Sequence, residues 1–280
     1  MTHRTKAKPP HRKSISRKIT SAPELLRTDS NLSEAKRSII SFIRENVEES
    51  ETDGLLLELD GSVNSAVTAH VCVEALGTRR VTAFIMPDLR VAGSDDLEDA
   101  RTVAGEICLD TRYFDIAPIH KTFMKNLEGN RPAEENLDAR IRTSFLCYQA
   151  DLLNGLVVSS IDRSEYLLGN IGKHGDNSAD ILPIADMYKD QVRKLGEVLG
   201  INRRIVAKRS KKLTIRQAER MFNLDYDVVD EIFKLRLDLG VDTQGVAMRL
   251  GVSSAEVEAV FSHYESSSHN RLLPKLCSLP

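Results

Sequence analysis

The feature that most constrains this chain is a short handover. The apolar run Leu55-Leu56-Leu57-Glu58-Leu59 passes at once into the polar, small-residue stretch Asp60-Gly61-Ser62-Val63-Asn64-Ser65. A helical pattern follows, with Val67, Val71 and Ala75 on one face. Strand, small-residue loop and helix together outline a phosphate cradle. Small side chains let the backbone approach an anion, and the N–H groups at the helix start point at it. The same outline also fits an ordinary strand-to-helix turn at the edge of an α/β sheet.

The pattern repeats along the chain. A helix is expected from Ser33, with Ile39, Ile40, Phe42, Ile43 and Val47 at helical spacing. Residues 81–86 are a second apolar run, too short for a helix and closed by Pro87, which suits a strand buried on both faces of a parallel sheet. Residues 96–108 read as helix, 111–116 as strand, 134–154 as a long helix and 156–159 as a fourth strand. Strands alternating with helices predict an α/β fold with a doubly wound parallel sheet. Ligands of such sheets bind beyond the carboxyl ends of the strands, where the loops after Leu59, Met86 and Val158 fall.

Beyond Asp162 the chain turns helical. Residues 184–199 form an amphipathic pattern ended by Gly200, and 226–239 another ended by Gly240; residues 201–221 are basic and irregular. Residues 243–261 fit a helix-turn-helix, with Gly251 in the turn. Glu256 and Glu258 at the start of its second helix would repel phosphate, which argues against nucleic acid as the partner.

The length of 280 residues suffices for one α/β domain with a large core, and a net charge of −2 marks no polyanion partner. No apolar run reaches the roughly 18 residues of a membrane span. Cys72, Cys108, Cys147 and Cys277 form no close pair and read as buried thiols of a reducing cytoplasm. Residues 1–28 carry many Lys and Arg opposed only by Glu24, so they read as a disordered basic tail ahead of a domain over 29–280.

One block identifies a family resemblance. Gly175-Asp176-Asn177-Ser178-Ala179-Asp180-Ile181-Leu182-Pro183-Ile184-Ala185-Asp186-Met187-Tyr188-Lys189-Asp190-Gln191-Val192 resembles the Gly-Asp-x-x-x-Asp-Ile-x-Pro-Ile-x-Asp-Leu-Tyr-Lys-x-Gln-Val signature of ammonia-dependent NAD synthetases, members of the ATP pyrophosphatases. Asn136-Leu137-Asp138-Ala139-Arg140-Ile141-Arg142, Ser164-Glu165, Met86-Pro87 and His269-Asn270-Arg271-Leu272-Leu273-Pro274 extend the likeness over about residues 32–274. The resemblance implies ATP-dependent amidation of deamido-NAD by ammonia through an adenylate, with release of AMP and pyrophosphate. It also implies Mg2+ and a homodimer. At this length no glutaminase domain is expected, so glutamine is not expected as the direct nitrogen donor.

The resemblance assigns roles. Asp176 and Lys189 are the implied catalytic residues. ATP falls to Gly61, Ser62, Asn64, Ser65, Arg140, Ser160, Lys189 and Ser210, metal to Glu165 and Asn64, and the acyl substrate to Arg140, Lys173 and Asp180. The pyrophosphate loop departs from the family's Ser-Gly-Gly-x-Asp-Ser: Gly61 and Ser65 match, but Asp60 replaces Ser, Ser62 the second Gly and Asn64 the Asp. After the fourth strand the family's Gly-Thr-Gly-Asn-Lys-Ser-Glu meets Ser159-Ser160-Ile161-Asp162-Arg163-Ser164-Glu165. The mobile loop, Pro-Ser-Ala-Asp-Leu in the family, reads Arg209-Ser210-Lys211-Lys212-Leu213. A carboxylate about 4 Å from a phosphate charge, at an effective dielectric near 20, costs about 4 kcal/mol. Two alternatives to a working synthetase therefore stand beside it. One is an impaired paralogue acting as a nucleotide-binding or partner subunit; the other is a related ATP pyrophosphatase with a different acyl substrate.

Overall fold

The computed structural model describes residues 29–89, 93–169, 171–208, 221–272 and 277. The 1–28 tail, Ser210 and the basic 209–213 stretch lie outside the described residues. Four parallel strands, β1 (Gly54–Glu58), β2 (Val81–Ile85), β3 (Thr111–Tyr113) and β4 (Gly155–Val158), form one sheet in the order β3-β2-β1-β4. Leu55 of β1 pairs with Val81 on one side and Leu156 on the other, which places β1 in the interior of the sheet.

Period-two alternation explains why these apolar runs must be strands here. Leu55, Leu57 and Leu59 face one core layer with Val81, Ala83, Ile85 and Val158. Leu56 faces the opposite layer with Phe84, Met86 and Val157. The first layer is closed by α1 (Asp29–Glu49), α2 (Val63–Leu76), α3 (Ser94–Glu106) and α7 (Lys189–Val198). The second is closed by α5 (Arg131–Leu153), through Ile141, Leu146 and Ala150, and by Ile116, which caps α4 (Ala117–Met124). Helices on both faces of a parallel sheet, with the strand order reversing at β1, make the doubly wound fold. Arg142 of α5 ties the second layer to the strand ends, its Nε meeting the Met86 carbonyl at 3.0 Å and the Glu58 carboxylate at 3.0 Å.

Several boundaries differ from the sequence expectation. Val63, Asn64 and Ser65 belong to α2, because the Ser62 side chain accepts the Ser65 N–H and caps the helix there. The third strand stops at Tyr113, and residues 117–124, not anticipated as helix, form α4 with a proline in its first turn. The helix expected over 184–199 begins only at Lys189. The chain before it is held by non-helical bonds, Ser159 N–H to Ile181 O at 3.0 Å and Arg163 N–H to Met187 O at 2.8 Å, which dock it beside β4. Of the four cysteines only Cys72 is buried; Cys147 is half-buried, while Cys108, on the turn after α3, and Cys277 are exposed. Burial pushes the Cys72 thiol up to about 12.

A second core lies in the C-terminal helices. Phe222, Val229, Ile232, Phe233, Val246, Val257 and Val260 cluster with Leu168 and Tyr188. Apart from Phe222, Leu168 and Tyr188, they come from α9 (Tyr226–Phe233), α10 (Thr243–Leu250) and α11 (Ser254–Ser266), with Gly251 in the left-handed conformation between the last two. Helix α9 does not continue evenly to Leu239: Lys234–Asp238 form a π-helical turn. The acidic start of α11 has a local cause, since Ser253 and Glu256 form a reciprocal capping box.

The closing residues fasten this module. Asn270 Nδ2 donates to the Gly169 carbonyl at 3.0 Å and Asn177 Nδ2 to the Asn270 carbonyl at 2.7 Å. Arg271 donates to the carbonyls of Leu167 and Tyr264 at 2.7 and 2.5 Å and stacks on the Tyr264 ring. Replacing Arg271 with Ala leaves these carbonyls unpaired and is expected to cost about 2 kcal/mol of unfolding free energy. Urea unfolding of the purified variant measures this, and a loss below about 0.5 kcal/mol would contradict the fastening role assigned to Arg271.

Candidate functional site

The carboxyl ends of β1 and β4 adjoin, and their loops part toward different elements. After β1, Gly61 takes φ 78 where an added Cβ would lie 2.2 Å from the Asp96 carbonyl, so only glycine fits between the loop and α3. Asp96 and Asp99 of α3 are in turn gripped from α8 (Arg203–Val206) and from the second residue beyond it: Arg204 reaches Asp99 at 2.5 Å, and Lys208 reaches Asp99 at 2.6 Å and also pairs with Asp96.

Asp60 turns back into its own loop. Its Oδ1 accepts the Ser62 N–H at 2.9 Å and the Ser65 hydroxyl at 2.5 Å. These are donors a phosphate oxygen would use, and the carboxylate engages them as an internal anion.

Beneath the loop lies a buried polar cluster. Asp162 caps α6 (Arg163–Leu168) by accepting the Glu165 N–H at 2.8 Å. Asn64 Nδ2 donates to the Ser160 carbonyl at 2.9 Å, to Asp162 Oδ2 at 3.0 Å and, at 3.5 Å, to Glu165 Oε2. Lys189 Nζ donates to Asn64 Oδ1 at 2.9 Å and lies 2.5 Å from Asp162 Oδ2 and 3.6 Å from Glu165 Oε1. Relative exposures of 0% for Asp162, 2% for Glu165, 3% for Asn64 and 5% for Lys189 put the whole group out of water. Ser164 steers the lysine, its Oγ accepting the Lys189 N–H at 3.0 Å and setting where α7 begins.

Tyr188, next to that lysine, lies between two cations: Arg163 and Lys234 each sit 5.2 Å from its ring centroid. Its hydroxyl donates to Asp238 at 3.0 Å, and Arg163 also reaches Asp238, at 2.6 Å. The π-helical turn delivers both Lys234 and Asp238 to this ring.

Thus Asn64, Ser160, Glu165 and Lys189 come together as a single cluster, with Gly61 and Ser62 in the loop above it and Ser65 in the first turn of α2. Arg140 and Lys173 meet elsewhere, Arg140 Nε donating to the Lys173 carbonyl at 3.1 Å, where Gly172 and Gly175 pass close to Ala139 of α5. Asp176 opens the 3-10 turn Asp176–Ser178. Asp180 serves the sheet, Oδ2 accepting the Val157 N–H at 2.7 Å. Two residues were not anticipated. Asp162 is the acid closest to Lys189; its signal was the capping spacing Asp162-x-x-Glu165. Asp230 of α9 is 1% exposed. Burial first, then Asp162 and Asp190, raise its carboxyl well above the ordinary range, against the Ser164 hydroxyl and Lys234, which lower it.

Residues 35–274 match the NAD synthase family, so the chain belongs to that family. An ammonia-dependent NAD+ synthetase of Aeropyrum pernix is 36% identical over 247 residues, 85% of this chain and 86% of that protein. One of Archaeoglobus fulgidus is 39% identical over 208 residues, covering 73% of this chain and 84% of its own length. The fold is that of the ammonia-dependent NAD synthetase of Campylobacter jejuni solved with nitrate, with a TM-score of 0.75 at 24% identity, over 88% of this chain and 99% of that one.

Asp230 sets a pH dependence. Folded, it stays neutral where the unfolded chain ionises above about pH 3.9, so its contribution to stability is lost as pH rises from there toward its raised folded value. Asp230→Asn is expected to be neutral near pH 4 and increasingly stabilising as pH rises from there, by at most about 1.4 kcal/mol per pH unit, until Asp230 itself ionises in the native protein. Melting curves across that range test it; a difference that does not change with pH would refute a neutral Asp230.

Proposed function

We propose that this protein is an ammonia-dependent NAD synthetase, a C–N bond-forming ligase that amidates deamido-NAD at the expense of ATP. The observation that carries the reading is the buried Asn64–Asp162–Glu165–Lys189 cluster beneath a glycine-bearing loop, at the point where the strand order reverses. In this reading a carboxylate oxygen of deamido-NAD attacks the α-phosphorus of ATP, and the bond to the departing pyrophosphate breaks. Ammonia then adds to the carbonyl carbon of the adenylate, AMP leaves with the former carboxylate oxygen, and a proton is released. Two like-charged reactants have to be brought together for the first step. The chain's share is donors for the phosphates (the loop N–H groups, Ser65, Ser160, Lys189 and, outside the described residues, Ser210) and the exclusion of water from an intermediate that water would destroy.

Arg140, Lys173 and Asp180 are assigned to the acyl substrate and Asp176 to the amidation centre. Mg2+ fits the cluster chemically: oxygen atoms of Asn64, Asp162 and Glu165 already converge on one ammonium, and these are hard donors of the kind that ion takes. When bound it would neutralise charge on the leaving pyrophosphate.

A homodimer is supported by large apolar side chains left exposed on neighbouring elements. Tyr113 of the edge strand β3, Ile119 and Phe123 of α4, and Tyr148 and Leu152 of α5 present large side chains to solvent. No helix among the described residues is long and apolar enough to cross a membrane, and free thiols suit the cytoplasm proposed for the chain. The single domain over 29–280 belongs to the same proposal.

Purified protein given ATP, Mg2+, deamido-NAD and ammonium is expected to form NAD, AMP and pyrophosphate in equal amounts, and nothing with glutamine alone. No pyrophosphate under these conditions would reject the assignment. Asp60→Ser frees the Ser62 N–H and Ser65 hydroxyl and removes a charge at the loop, so ATP binding is expected to tighten about tenfold to a hundredfold by calorimetry. Unchanged affinity would mean that Asp60 does not oppose the phosphates.

A further inference from the structure

Asn64 donates and accepts within the cluster at once, which an ionised carboxylate in its place could not. Its Nδ2 donates to Asp162 Oδ2 at 3.0 Å and to Glu165 Oε2 at 3.5 Å, while its Oδ1 accepts from Lys189 at 2.9 Å. An amide carries both donors and an acceptor; an ionised carboxylate only accepts. A carboxylate at 64 would set three buried negative charges against one ammonium, with oxygen facing oxygen where the Asn64–Asp162 bond now lies. With the amide the cluster holds two carboxylates and one ammonium, a net charge of −1.

The neighbouring position completes the pattern. The resembled motifs carry an acid at position 64 and an amide at position 162; this chain carries the amide at 64 and the acid at 162. The two side chains are in direct contact. Exchanging them conserves both the charge and the donor–acceptor count of the cluster. The Lys189 ammonium meets one oxygen each from Asp162, Asn64 and Glu165, and so marks a seat that a cation can hold.

We propose that Asp162 supplies, toward the divalent cation of the nucleotide, the carboxylate that the loop lacks at Asn64, and that Asn64 is the complement that makes an acid at 162 tolerable. This rests on the reading that nucleotide phosphates and Mg2+ occupy this corner. On this basis the loop's most conspicuous departure is half of a compensated pair, and restoring the acid at 64 alone is the wrong repair.

The test is a two-position cycle on the full chain with α,β-methylene-ATP, which cannot release pyrophosphate, so the readout is binding alone. Nucleotide affinity is measured by calorimetry with Mg2+ and with EDTA, and the ratio gives the Mg2+ enhancement. The unaltered protein is expected to show at least about tenfold enhancement, the worth of one favourable charge contact of about 1.4 kcal/mol. Asp162→Asn, which keeps the α6 cap because Asn caps as well as Asp, is expected to fall below about threefold. Adding Asn64→Asp to it is expected to bring the enhancement back to about tenfold, a rescue that a purely structural role of Asp162 would not give. Asn64→Asp alone is expected to lower the melting temperature, with Mg2+ recovering it. Full enhancement in Asp162→Asn, or a double variant no better than that single one, would overturn the exchange. Absence of nucleotide binding by the unaltered protein would instead sink the reading of the site and the exchange with it, so the two failures are distinguishable.

Discussion

The Lys189–Asp162 ion pair, closed to solvent at 2.5 Å, is the interaction around which the rest is arranged. A buried charge pair gives net stabilisation only when its remaining donors and acceptors are met, and removing one partner strands the other. Here the pair and its Asn64 neighbour are met from two elements, the β4 loop and α6. The β4 loop offers the Ser160 carbonyl to Asn64, α6 offers the Glu165 N–H to Asp162, and Ser164 takes the Lys189 N–H. Loop, helix and signature block can satisfy one another only if β1 and β4 are adjacent, and the strand order supplies that adjacency. The polar cluster therefore demands this sheet as much as the sheet positions the cluster.

Most of the fold was legible because its information is local. The apolar runs at 55–59 and 81–86 point to burial on both faces, and both are strands with a core layer on each side. What was misjudged depended on partners distant in sequence. The apolar spacing over 184–199 is that of a helix, yet Ile181 is bonded beside β4 and Met187 to the α6 entry, by bonds that helical periodicity does not encode. The cysteines were misplaced for a similar reason: apolar neighbours at Cys108 do not reveal that its helix has already ended.

The candidate site was legible to a different depth. Glu165, Asn64 and Lys189 were assigned from motif positions and do converge. Asp162 was passed over because it breaks the motif, although breaking it in concert with Asn64 is what the contact between them accounts for. Asp60 carried a sign that sequence could give, a negative charge at a phosphate loop, but not a direction. Only the folded loop shows that carboxylate holding Ser62 and Ser65. Asp230, distant in sequence and unremarkable in its helix, could be weighed only once its burial beside Ser164 was known.

The π-helical turn at Lys234–Asp238 adds a constraint of another kind. It widens a single turn of helix by one residue, which is what lets Lys234 lie over the Tyr188 ring while Asp238 reaches its hydroxyl. The phase of this helix relative to the ring is thus counted in whole residues. An insertion or deletion within residues 226–238 would turn the carboxylate away from the ring, so what this contact asks of the segment is its length in residues.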